Sequence, residues 1–137
     1  MNKIMLISAI ALLFNYASTQ TVLADEELAP GYNVCTDKAK STADNLDCLK
    51  SAHDYWDKQL NINYKKSMNN CADTENPEKC KTDLKTAQRN WIKYRDAMVE
   101  SLYSSGSGGT MDKLTVMSFL ADEVKKQAKL LGTSSSE

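Results

Sequence analysis

The sequence predicts an all-α fold: a small, disulfide-stapled, antiparallel helical bundle of three long helices preceded by a short one. Three observations carry this expectation. Apolar residues recur at alternating spacings of three and four through three long stretches, as one face of a helix requires. No stretch shows the period-two alternation of a half-buried strand. The four cysteines form an even set beyond an apparent export signal, which points to two disulfides in a chain too short to rely on a large core.

In chain order, residues 1–24 read as a secretory signal peptide. Lys3 supplies the positive start, Ile4 to Phe14 the apolar segment, and Val22-Leu23-Ala24 the small and aliphatic residues before cleavage at Asp25. The apolar segment is too short to span a bilayer. The first cysteine is Cys35, so the arrangement is not that of a lipid-anchored protein, and no membrane anchor is expected in the mature chain. Residues 25–132 then form one helical domain, and 133–137 a flexible tail.

Glu26 to Gly31 reads as an extended lead-in with Pro30-Gly31 as a breaker. Asn33 is placed as the cap of a short helix from Val34 to about Lys40. Ser41 and Asp44 have the spacing of a capping box opening a second helix to about Asn69. Its face carries Leu46, Leu49, His53, Trp56, Leu60, Tyr64 and Met68. After a polar turn, Asn76 caps a third helix with Pro77 at its first position and Glu78 at the positive end of the dipole. From Pro77 to Tyr103 it would run about 40 Å. Its seam is Leu84, Gln88, Trp91, Arg95, Met98 and Leu102, with two strongly polar residues that need partners. The Ser/Gly run from Ser104 to Gly109 ends it. Thr110 is placed as the cap of a fourth helix, with Leu114, Met117, Ala121, Val124, Ala128 and Leu131 inward and Gly132 as its stop.

Four cysteines allow three connectivities. Pairing in chain order, Cys35 with Cys48 and Cys71 with Cys80, is predicted because each pair brackets a turn between helices. Closing loops this short contributes roughly 3 kcal/mol each on chain-entropy grounds. A zinc site from all four is disfavoured: the spacings of twelve and eight intervening residues are not those of zinc knuckles. No metal and no cofactor is expected.

The charges nearly balance, with 17 basic and 18 acidic residues and a net charge of −1, which argues against nucleic acid as a partner. Their distribution is less even. If the second and third helices run antiparallel, Asp54, Asp57, Asp96, Glu100 and Asp112 gather at the end that carries Ser105, Gly106, Ser107, Gly108 and Gly109. The other end collects Lys65, Lys66, Lys81, Lys85 and Arg89, with Lys125, Lys126 and Lys129 from the fourth helix. The plain reading is a solvated surface complementing helix dipoles. The functional reading is an acidic end that steers a basic protein partner.

No catalytic residues are expected. His53 is the lone histidine and stands on an apolar face, with no serine or cysteine nucleophile to pair with it. Asp44, Asp47, Asp54 and Asp57 share one helix face without a facing wall to make a cleft. The Ser/Gly run lacks the lysine of a phosphate-binding loop and follows a helix instead of a strand. Trp56 and Trp91 read as core aromatics. Arg95 reads as a structural hub whose carboxylate or carbonyl partner comes from a neighbouring helix; the alternative is a recognition groove of Arg95, Gln88 and Asp96.

Leu60-Asn61-x-x-Tyr64, then Gln88-x-x-Trp91-x-x-x-Arg95-Asp96, then Gly108-Gly109-Thr110, resemble the LprI-type lysozyme inhibitor domain. The early pair Cys35 and Cys48 fits it too, and the likeness spans nearly all of the mature chain. The chain departs from the pattern twice. Relatives often carry a cysteine soon after the arginine-aspartate pair, where Ala97-Met98-Val99 stand here, and an arginine late in the last helix, where this chain has Gln127. The resemblance implies a periplasmic or secreted helical domain, and for some members inhibition of host lysozyme. The expected function is therefore a secreted or periplasmic protein that inhibits a lysozyme by protein–protein binding, the partner being a basic lysozyme. The alternative is an envelope structural or immunity-like protein that binds another bacterial protein.

Overall fold

The computed structural model describes residues 26–133. The expected signal peptide, its cleavage site and the tail beyond Thr133 lie outside the described residues. The chain forms α1 (Tyr32–Lys38), α2 (Thr42–Asn70), one 3₁₀ turn (Cys71–Asp73), α3 (Pro77–Ser105) and α4 (Thr110–Thr133), with no strand among the described residues. Both disulfides pair in chain order, Cys35 with Cys48 and Cys71 with Cys80. Each staples a helix-to-helix turn, as the sequence predicts.

The long helices start where local chemistry directs. Ser41 Oγ accepts the Asp44 amide at 3.1 Å, and Asp44 Oδ2 reaches back to the Lys40 amide at 2.9 Å. Asn76 Oδ1 accepts the Lys79 amide at 3.0 Å, with Pro77 in the first helical position. α1 begins two residues earlier than expected, and Asn33 lies inside it instead of capping it. The cause is Gly31, whose φ of 84° turns the chain in the left-handed region open to glycine. α4 starts at Thr110 itself, and it continues through Gly132 instead of stopping there. Gly132 marks a close approach: a Cβ there would lie 2.9 Å from Nδ2 of Asn63 on α2, and that amide would have to shift.

The core lies between α2 and α4. Leu60, Val124, Ala128 and Leu131 form one buried cluster, and Ala52 and Ala121 meet Ala29 in a second. Small residues at the second contact let the two backbones approach closely. Asn63 Nδ2 donates to the Ala128 carbonyl at 2.8 Å, and Ser67 Oγ to the Leu131 carbonyl at 3.2 Å. Four residues forward on α2 are thus three residues forward on α4, so these helices run parallel. α3 runs antiparallel to both. It contributes no fully buried residue. Leu84 and Trp91 pack on the α2–α4 cluster from outside, so α3 is a third rail laid on a two-helix core.

The lead-in is a strap across the other side of that core. Trp56 Nε1 donates to the Leu28 carbonyl at 2.6 Å, and Lys125 Nζ to the Glu27 carbonyl at 2.9 Å. Lys129 pairs with Glu26. Both ammonium groups stand 5.8 Å from the Trp56 ring centroid. This corrects the expected basic end, because Lys125 and Lys129 serve the strap. Lys126 is occupied by Asp122 at 2.7 Å and Glu123 at 3.0 Å on its own helix.

Candidate functional site

Because α3 leans on α4, an open furrow runs between α2 and α3. Its upper half, nearer the Cys71–Cys80 turn, is a cavity of about 390 Å³ walled by Leu60, Asn61 and Tyr64 from α2 and Lys85, Gln88, Arg89 and Ile92 from α3. Its lower half, about 560 Å³, is walled by His53 and Asp57 from α2, Arg95, Asp96, Val99 and Glu100 from α3, and Leu120 from α4.

Three of the predicted acidic residues therefore meet: Asp57, Asp96 and Glu100 line the lower furrow. Asp54 stands beside them, exposed, with its Oδ1 3.2 Å from His53 Nδ1. Ser105 ends α3, and Gly106, Ser107, Gly108 and Gly109 follow it; all five are exposed and outside the walls of that cavity. The loop is also tied down. Asp112 Oδ2 accepts the amides of Gly108 at 2.6 Å and Gly109 at 3.1 Å, a carboxylate using the positive end of α4. Gly108 has a φ of 80°, and any side chain at Gly106 would collide with the Asp112 carboxylate. Asp112 thus shapes the loop and does not stand free as a fifth steering charge.

The family-motif residues sit on the furrow and its floor. Leu60 is buried, and Tyr64 and Trp91 are half-buried. Asn61 Nδ2 donates to the Asp57 carbonyl at 2.9 Å and to Asp57 Oδ2 at 3.2 Å, which fixes that carboxylate on the wall. Gln127 Nε2 donates to Gln88 Oε1 at 2.9 Å. Arg95 departs from the expected partner on a neighbouring helix. Its Nε and Nη2 donate to Asp96 Oδ1 at 2.9 and 2.7 Å, and its guanidinium lies 5.1 Å from the Trp91 ring centroid. These hydrogen bonds and the ring contact are all within α3. The reason is reach: the furrow holds α2 away, so the guanidinium folds back on its own helix.

Sequence reasoning passed over Ile92, Val99 and Leu120 as furrow residues, and Gln127 as the partner of Gln88. The helical register offered one signal, since Val124, Gln127 and Leu131 share a face and a glutamine between two core residues has to meet something polar. For Leu120 there was none, because a leucine on a helix flank does not say which groove it floors.

Electrostatics away from the furrow support the fold. The Lys40 backbone amide, then the Ser41 hydroxyl, hold the Asp44 carboxyl below its usual value. Lys129 and Lys125 do the same for Glu26. The Asp122 and Glu123 carboxylates push the Lys126 ammonium upward. No described group of three or more histidine, cysteine or acidic residues could hold a metal ion.

Fold and surface define the class: a small all-α domain, stapled by two disulfides, with an open furrow of mixed charge between two helices. The chain belongs to the family described as lysozyme inhibitor LprI, whose profile matches residues 35–131, from the first cysteine to the last core leucine. No curated protein and no solved structure matches the chain. The family is one of inhibitor domains, which act on a protein partner, and its disulfides suit an oxidising compartment. No described helix is long and apolar enough to cross a membrane.

Proposed function

We propose that the protein is secreted or periplasmic and inhibits a lysozyme by direct binding, using the lower furrow and the adjoining loop to engage a basic enzyme. The observation that carries this reading is the convergence of Asp57 from α2 with Asp96 and Glu100 from α3 on one open furrow in a chain of this family. Asp54 extends that field to the rim. Carboxylates on an exposed concave surface speed the encounter with a cationic partner and fix its orientation, while contributing modestly to final affinity. The loop at Ser105–Gly109 stands at the same end with no bulky side chain, and Asp112 holds it ordered, so less entropy is lost when it docks. Inhibition then follows from occlusion of the enzyme's cleft and involves no chemistry on the inhibitor.

The test is lysis of bacterial cell walls by lysozymes of several classes, each titrated with the purified mature protein. Stoichiometric loss of lysis with at least one class is expected. Full lysis with every class at tenfold excess of the protein overturns the proposal.

A further inference from the structure

Along its furrow edge α3 presents Lys85, Arg89, Ile92, Asp96 and Glu100: two cations, one apolar residue, two anions. Their spacings of four, three, four and four keep them in one longitudinal stripe, and all five contribute to the furrow walls. The stripe has an internal symmetry. Reversed about a point between Ile92 and Lys93, it reads the same with every charge exchanged, Lys85 against Glu100 and Arg89 against Asp96. That self-complementarity is what an isologous twofold contact requires.

We infer that the chain pairs with a second copy of itself along this stripe. A twofold axis beside Ile92 sets the two α3 helices antiparallel. Each Lys85 then faces the other copy's Glu100 and each Arg89 its Asp96, while the aliphatic stem of Lys93 covers the opposing Ile92, which is 37% exposed in the single chain. Within the chain these groups are available. Among the described residues Lys85, Arg89 and Glu100 form no ion pair, and Asp96 offers only Oδ1 to Arg95, leaving Oδ2 open. α3 is also the long helix that buries no residue completely in its own domain. An unrelated partner would need the reverse charge order by chance, whereas a second copy carries it by construction. The contact spans about 22 Å of helix from Lys85 to Glu100, so the pair is weak, reversible and sensitive to salt.

Sedimentation equilibrium of the mature protein tests this without any lysozyme, so its outcome is independent of the inhibitor reading. At an ionic strength of about 0.02 M the average mass should climb from monomer towards dimer between roughly ten micromolar and one millimolar, and about 0.5 M salt should return it to monomer. Two variants isolate the stripe: Lys85→Glu with Arg89→Glu, and Asp96→Lys with Glu100→Lys. Each alone should stay monomeric, since its stripe carries one sign throughout. Mixed in equal amounts they should restore a dimer of one copy of each, with helicity by circular dichroism unchanged in both. A parent that stays monomeric throughout overturns the inference, including the case where either variant loses lysozyme binding and the stripe serves a foreign partner only. So does a parent dimer that both variants retain, or a mixture that fails to associate.

Discussion

Gln127 of α4 and Gln88 of α3 join by a hydrogen bond of 2.9 Å from Nε2 to Oε1. The sequence raised the two residues separately, one as a polar group in need of a partner and the other as a departure from the family pattern. They answer each other. Since α3 rests on the core mainly through half-buried Leu84 and Trp91, this amide pair is the polar tie that sets its rotation.

Gln88→Ala and Gln127→Ala should each lower unfolding stability by about 1 kcal/mol, with a coupling of about 0.5–1 kcal/mol in the double variant. Urea denaturation of the four proteins measures it. Strict additivity would show that the bond holds nothing. Gln127→Arg, which keeps a donor facing Gln88 Oε1, should be tolerated.

The strap gives a second prediction. Removing residues 26–29 takes away the acceptor of the Trp56 indole, the cover over Ala52 and Ala121, and the carbonyl that receives Lys125. A loss of about 2 kcal/mol is expected from the exposed apolar surface and the orphaned donors. Tryptophan emission should also shift to the red as Trp56 meets water. An unchanged spectrum and unfolding midpoint would mean the strap is passive.

Acid should weaken the strap and the start of α2. Asp44 and Glu26 are both held below their ordinary values in the folded chain. A depressed carboxyl contributes stability above its unfolded value and loses it as pH falls through the folded value. The contribution is therefore complete at pH 7 and drains away below about pH 4. Asp44→Asn and Glu26→Gln should unfold at lower urea than the parent at pH 7, and the gap should close at about pH 2.5. A gap that persists in acid would assign the effect to packing.

Arg95→Leu should cost about 1 kcal/mol, well short of the several expected for breaking a buried ion pair. The partner left behind, Asp96, is exposed and can be hydrated. Thermal unfolding decides between the two magnitudes. A loss above about 3 kcal/mol would restore Arg95 as a buried hub.

For lysozyme binding, Asp57→Asn with Glu100→Gln should slow association several-fold at low salt and lose that effect near 0.5 M salt, where the Debye length has fallen to about 4 Å from about 21 Å at 0.02 M. Gly106→Val, which displaces Asp112 from the loop amides, should instead speed dissociation. Surface-binding kinetics at two salt concentrations separate the two. Equal rates for both variants and the parent would move the site off this end of the domain.

What the sequence determined by itself was local. Asn76 and Pro77 start α3, Ser41 and Asp44 start α2, and each cysteine pair brackets a turn, because these signals act within one or two helical turns of themselves. The three-four periodicity also marked the inward faces correctly: Leu84, Gln88, Trp91, Arg95, Met98 and Leu102 are all half-buried while most of their helix is exposed. Tertiary structure alone decided which helix meets which face. A periodic stripe says that a helix must be covered, yet it does not say by what. The parallel α2–α4 pairing joins Asn63 to Ala128 and Ser67 to Leu131 across more than sixty residues. Small residues at Ala52, Ala121 and Gly132 let those two helices close, and α3, broader at its seam with Trp91 and Arg95, is left outside them. The furrow follows from that difference in side-chain volume. So does the solitude of Arg95, which the sequence paired across helices and the open furrow returned to its neighbour Asp96.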